Sequence, residues 1–154
     1  MTTQPRGYKS ILGFRFGIDA YQRAVSRGKA MTHKAVDATI SISAEAATVA
    51  DQRNITITLK DANGNAVDEA TVFEIMLFSS AAMTDFVATG GSTGIAAGAS
   101  GKVQAIVAKK LFRAITTTAG VCEVIYTDTG TDAGYLAVRL PNGNIVPGGV
   151  ITNA

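Results

Sequence analysis

The chain has 154 residues, 47% of them hydrophobic, which suits one domain with its own core plus an appendage. Aromatic residues make up 6%, Trp is absent and Pro occurs three times, so a collagen-like or Pro-rich chain is excluded and packing falls to Ala, Val, Ile and Thr. Charged residues are 17% of the chain and the formal net charge is +2, a sparse charge in keeping with a protein whose surface is partly hidden in a complex.

Cysteine and histidine exclude several chemistries. Cys122 is the single cysteine, so no disulfide forms within the chain. It lies in Val121-Cys122-Glu123-Val124, an apolar strand pattern, and is expected to be a buried, inert thiol. His33 is the single histidine and stands at a boundary between Thr32 and Lys34, with no metal or general-base partner in the pattern. The N-terminus lacks the basic region followed by an apolar run of a signal peptide, and no apolar stretch reaches membrane-spanning length. Assembly in the cytoplasm is expected, with no membrane contact.

The first segment, residues 1–36, is set apart by charge. Up to residue 34 it holds Arg6, Lys9, Arg15, Arg23, Arg27, Lys29 and Lys34 against Asp19, a balance of +6 with His33 neutral. The other 120 residues hold seven bases and eleven acids, a balance of −4. A basic segment on an acidic body is suited to grip something negative. Gly7, Gly13, Gly17 and Gly28 each cost roughly 1 kcal/mol inside a helix, so an extended arm is expected, with a short helix over residues 19–27 as its one helical candidate. Its expected role is assembly, with a partly disordered tail or an extra strand of the domain as the alternative. Tyr8, Phe14, Phe16 and Tyr21 are candidate apolar anchors on a neighbouring subunit, and Arg6, Lys9, Arg15, Arg23 and Arg27 candidate contacts to acidic partners. The bases are spaced and separated by apolar residues, which argues against nucleic acid as the partner.

The body, residues 37–154, reads as strands. Ala38 to Ser43 alternates Ile40 and Ile42 with short polar residues and is the first. Arg53 to Lys60 is the second strand, in which Ile55-Thr56-Ile57-Thr58-Leu59-Lys60 has the period of one dry and one wet face. Asp61-Ala62-Asn63-Gly64 then turns the chain, with Gly64 a candidate for positive φ. Residues 72–78 form the third strand, an apolar run around Glu74, expected to be buried on both sides by a neighbouring subunit or the arm. With residues 55–60 it is expected to form the inner framework of one antiparallel sheet. Residues 85–89 suggest a short edge strand. Residues 90–101 are rich in Gly and Ala, lack the ending of a phosphate-binding loop, and read as a loop or insertion. Residues 102–118 fit either strands or one helical face, and Ile115-Thr116-Thr117-Thr118 favours strands. Strands follow at 121–127 and 135–140. Pro141-Asn142-Gly143-Asn144 is a hairpin turn, Ile145-Val146 pairs back, and Val150-Ile151 closes an edge after Pro147-Gly148-Gly149. Seven or eight short strands with regular turns predict an all-β, antiparallel sandwich.

Two stretches carry a resemblance. Ile55-Thr56-Ile57-Thr58-Leu59-Lys60-Asp61-Ala62-Asn63-Gly64-Asn65-Ala66-Val67, followed by Val72-Phe73-Glu74-Ile75-Met76-Leu77-Phe78, resembles the Ig-like, invasin-type domains of bacterial-surface and phage structural proteins. Asp132-Ala133-Gly134-Tyr135-Leu136-Ala137-Val138 with Leu140-Pro141-Asn142-Gly143 is similar to the closing part of small tailed-bacteriophage virion proteins. The resemblance implies an Ig-like β-sandwich and a non-enzymatic structural protein of the virion, with no cofactor. Its expected role is a capsid decoration or cement protein in many symmetric copies, binding the major capsid protein or other virion subunits. A tail-tube, neck or head-fibre component is the alternative within the class, and a cell-surface or carbohydrate-binding module the alternative outside it. The absence of Trp argues against a sugar platform. No catalytic set emerges: Asp85, Asp128 and Asp132 read as solvated turn aspartates without a base or nucleophile at informative spacing, and Asp128 and Asp132 do not complete a calcium-loop pattern.

Overall fold

A computed structural model of the protein describes residues 34–45, 51–130 and 132–153. Among these the fold is all-β, with nine strands and no helix: β1 (Asp37–Ile42), β2 (Gln52–Lys60), β3 (Val72–Phe78), β4 (Gly94–Ala97), β5 (Lys102–Val107), β6 (Leu111–Ile115), β7 (Val121–Thr127), β8 (Gly134–Arg139) and β9 (Ile145–Ile151). They form two antiparallel sheets, one in the order β1-β2-β7-β4 and the other β5-β6-β3-β8-β9. The result is the β-sandwich that the alternating pattern predicts.

Alternation places the core. Ile55, Ile57 and Leu59 of β2 and Cys122, Val124 and Tyr126 of β7 point inward from the four-stranded sheet. Phe73, Ile75 and Leu77 of β3, Phe112 and Ala114 of β6, and Leu136 and Val138 of β8 meet them from the other. The outer face of the four-stranded sheet carries short polar side chains such as Thr39, Ser41, Thr56 and Thr58, the wet face of an antiparallel sheet.

β2 and β3 are both interior strands, but they lie in opposite sheets instead of side by side. After the turn, in which Gly64 has φ +83°, Ala66 bridges Lys60 and the Val67 amide donates to the Leu59 carbonyl at 3.0 Å. Val67 is buried, and the chain crosses there to the facing sheet. Gly120 makes that crossing possible: a Cβ on it would lie 2.6 Å from the Val67 carbonyl oxygen.

The stretch expected as a loop or insertion contains β4, which pairs with β7 from Gly94 opposite Thr127 to Ala97 opposite Val124. Small residues let it approach closely, and a Cβ on Gly98 would meet the Glu123 backbone at 2.9 Å. The segment after β3 makes only one bridge, Phe78 with Phe86, where an edge strand was expected. Residues 102–115 form the β5–β6 hairpin, not a helix, because Phe112 and Ala114 alternate with outward Arg113. β9 runs unbroken through Pro147 to Gly149, absorbing the extra residue as an irregularity opposite Leu136 and Ala137. As an edge strand it tolerates the missing Pro147 amide.

Candidate functional site

The outer face of the five-stranded sheet is the most differentiated surface. Strand register sets its side chains in cross-strand rows. One row is Lys102, Ile115 and Val72; the next is Gln104, Arg113, Glu74, Arg139 and Ile145. A third brings Leu111, Met76 and Ala137 together, and a fourth Phe78 and Tyr135.

The centre of the last two rows is covered by the chain itself, while Val107 and Val150 at their edges stay about half exposed. Met76, Phe78 and Ala137 are buried in a second small core with Met83, Leu111 and Tyr135 packed against it. Phe86 stacks on Phe78 with ring centroids 5.1 Å apart and planes 8° from parallel. The Ser79 amide donates to the Asp85 carbonyl, and the Val87 amide to the Leu77 carbonyl, pinning the covering segment at both ends. This accounts for the apolar run of residues 75–78 in β3. The second face of that strand is covered at Met76 and Phe78 by the chain's own residues 83 and 86, where the sequence pointed to a neighbouring subunit or the arm, and is open at Val72 and Glu74.

The first two rows stay open. Glu74 lies between two guanidinium groups, with Arg139 Nη1 3.4 Å from Oε2 and Arg113 Nη2 3.8 Å from Oε1. Both arginine side chains are more than half exposed, at 61% for Arg113 and 54% for Arg139. Val72 and Ile145 flank this ladder at 48% and 49% exposure. Two shallow depressions of about 270 and 360 Å3 lie on the face, and Val72 and Arg113 line both. The arrangement suits binding by combined apolar and charge-assisted contact.

Other expected features resolve differently. Arg6, Tyr8, Lys9, Phe14, Arg15, Phe16, Tyr21, Arg23, Arg27 and His33 lie outside the described residues. Asp128 is not a solvated turn aspartate: it is buried, and its Oδ1 accepts from the Ser92 amide at 3.1 Å and the Gly130 amide at 3.0 Å. The Tyr126 hydroxyl donates to its Oδ2 at 3.4 Å. Burial and the neighbouring Asp128 carboxylate push the Tyr126 hydroxyl up to about 12. Asn153 extends this clasp, donating through Nδ2 to the carbonyls of Asp51 and Asp128, while its Oδ1 accepts from Arg53 Nε at 2.9 Å. The clasp is structural and ties the end of β9 to β2 and β7. Asp132 is exposed and accepts from the Thr89 hydroxyl, and Asp85 is exposed beside Thr84. Among the described residues no group of three or more His, Cys, Asp or Glu side chains is placed to hold a metal ion.

Cys122 is fully buried, and burial raises its thiol to about 11, the state of an unreactive core residue. Lys34 donates to Asp68 at 2.7 Å, and this exposed pair raises the ammonium and lowers the carboxylate.

Sequence reasoning missed Val72, Glu74, Arg113, Arg139 and Ile145 as one site. Each sits at an outward position of its strand, but they come from four strands, and only register brings them together. Comparison with protein-family models, curated proteins and solved structures gives no match to the chain.

Proposed function

We propose that the chain is a non-enzymatic structural subunit of a tailed-phage virion, a decoration or cement protein that binds neighbouring major capsid subunits and stabilises the shell. The observation that carries this reading is a division of charge and surface. A basic segment of +6 is joined to a body of −4, and that body leaves half of one sheet face open, with paired arginines between exposed Val72 and Ile145. Two separate binding features on one small domain suit a cross-link between neighbours. Many copies acting together make weak individual contacts collectively strong. The resemblance of residues 55–78 and 132–143 to phage structural proteins supports the choice of assembly.

The test is the mass of the native particle that contains the chain, measured by light scattering with a nuclease-treated control. A megadalton shell is the expected result, with a copy number in fixed proportion to the major subunit. A discrete monomer or small oligomer, unchanged by nuclease, overturns the reading in favour of a free binding module.

A further inference from the structure

We infer that the open half of the five-stranded face is a docking surface for an acidic, apolar-flanked segment of a partner protein. A partner carboxylate sits on Arg113 and Arg139, and its neighbouring aliphatic side chains sit on Val72 and Ile145. The inference rests on the assembly reading above and gives the chemistry of one contact within it.

The two halves of the face share one register but are finished differently. The centre of the half built on Met76, Phe78 and Ala137 is covered by Met83 and Phe86 of the same chain, while Val107 and Val150 at its two edges stay about half exposed. Over the other half no described residue plays that part, and Val72 and Ile145 remain about half exposed. Its polar centre is unbalanced. One carboxylate serves two guanidinium groups, each with five N–H donors, and both contacts are long. Donors therefore remain for a second carboxylate.

Charge selects the occupant. The open half holds Lys102, Arg113 and Arg139 against Glu74, while the rest of residues 35–154 holds four bases against ten acids. Like charge disfavours a basic segment as the occupant, and a partner of opposite charge is the better match. A nucleic-acid backbone fits poorly as well. Glu74 would face its phosphates, and Val72 and Ile145 would find no aliphatic partner. An acidic segment with aliphatic neighbours matches the centre and both flanks.

The test selects a random peptide library on the full-length chain, then titrates the recovered peptides by calorimetry. The expected peptides carry Asp or Glu beside Leu, Ile or Val. The double variant Arg113→Gln/Arg139→Gln is expected to weaken them about tenfold or more. Glu74→Gln, which releases both arginines, is expected to tighten them, a gain that a merely structural role would not produce. Lys60→Gln, on the other sheet, is expected to change nothing. Four outcomes overturn the inference: recovery of no binders, binders without acidic residues, binding that persists in the double arginine variant and so belongs to the basic segment, or a single-stranded oligonucleotide that competes with the same arginine dependence. Failure here with a megadalton native particle removes the docking surface alone. Success here with a monomeric native chain removes the assembly reading alone.

Discussion

Gly64 and Gly120 have similar backbone angles, φ +83° and +73°, but different surroundings. A Cβ on Gly64 would meet nothing within 4 Å, whereas one on Gly120 would press on the Val67 carbonyl at 2.6 Å. Gly64→Ala is therefore expected to cost about 1 kcal/mol, the strain of a left-handed alanine. Gly120→Ala is expected to cost about 2–4 kcal/mol, because relief of the clash moves Val67 and the Leu59 amide that donates to the Gly120 carbonyl. Urea unfolding of the two variants checks the ranking. Cys122 and Tyr126 set a second expectation at this scale. In the unfolded chain they ionise near 9 and 10, and in the fold near 11 and 12. Both are neutral when protonated, so the unfolded state releases its protons first and stability falls as pH rises from about 9 toward 12. The urea midpoint is expected to drop across that window, and Tyr126→Phe to flatten its upper part. A thiol reagent at pH 8 is expected to spare Cys122 until the chain unfolds. The inert thiol was legible in its strand pattern. The buried role of Asp128 was not, because its donor Ser92 lies on a segment 36 positions away.

At the scale of elements, β3 shows how one strand serves two cores. Phe73, Ile75 and Leu77 face the sandwich interior, while Met76 and Phe78 face the cover made by Met83 and Phe86. Phe86 is 43% exposed, so Phe86→Ala removes only part of a ring's burial and is expected to cost about 1–2 kcal/mol. It should also open Met76 and Phe78 to a hydrophobic dye at native pH. Unchanged dye binding and an unchanged urea midpoint would show that the cover contributes nothing. The strands with clean alternation, β2 and β7, were readable with nearly their observed bounds. β4 was not, because Gly94-Ile95-Ala96-Ala97 carries little strand preference and is held by pairing with β7. The split of β9 at Pro147 was expected from local chemistry, and edge position removes the need for it.

At the scale of the molecule, His33–Ala154 is one compact unit. Deleting residues 1–32 is expected to leave its cooperative unfolding within about 1 kcal/mol of the full chain while abolishing assembly into the native particle. Circular dichroism melts and light scattering read the two effects separately, and retained assembly would reject the arm's role. The division into a +6 segment and a −4 body was present in the sequence, since it depends only on which residues are there. So were the all-β class and most strands, since a period of two sorts side chains to two faces wherever a strand lies. Tertiary structure decided which strands share a sheet, because pairing β2 with β7 and β3 with β8 joins residues 57 or more positions apart. It also decided that Arg113, Glu74 and Arg139 form one row, because a register shift of a single residue would turn each of them to the opposite face.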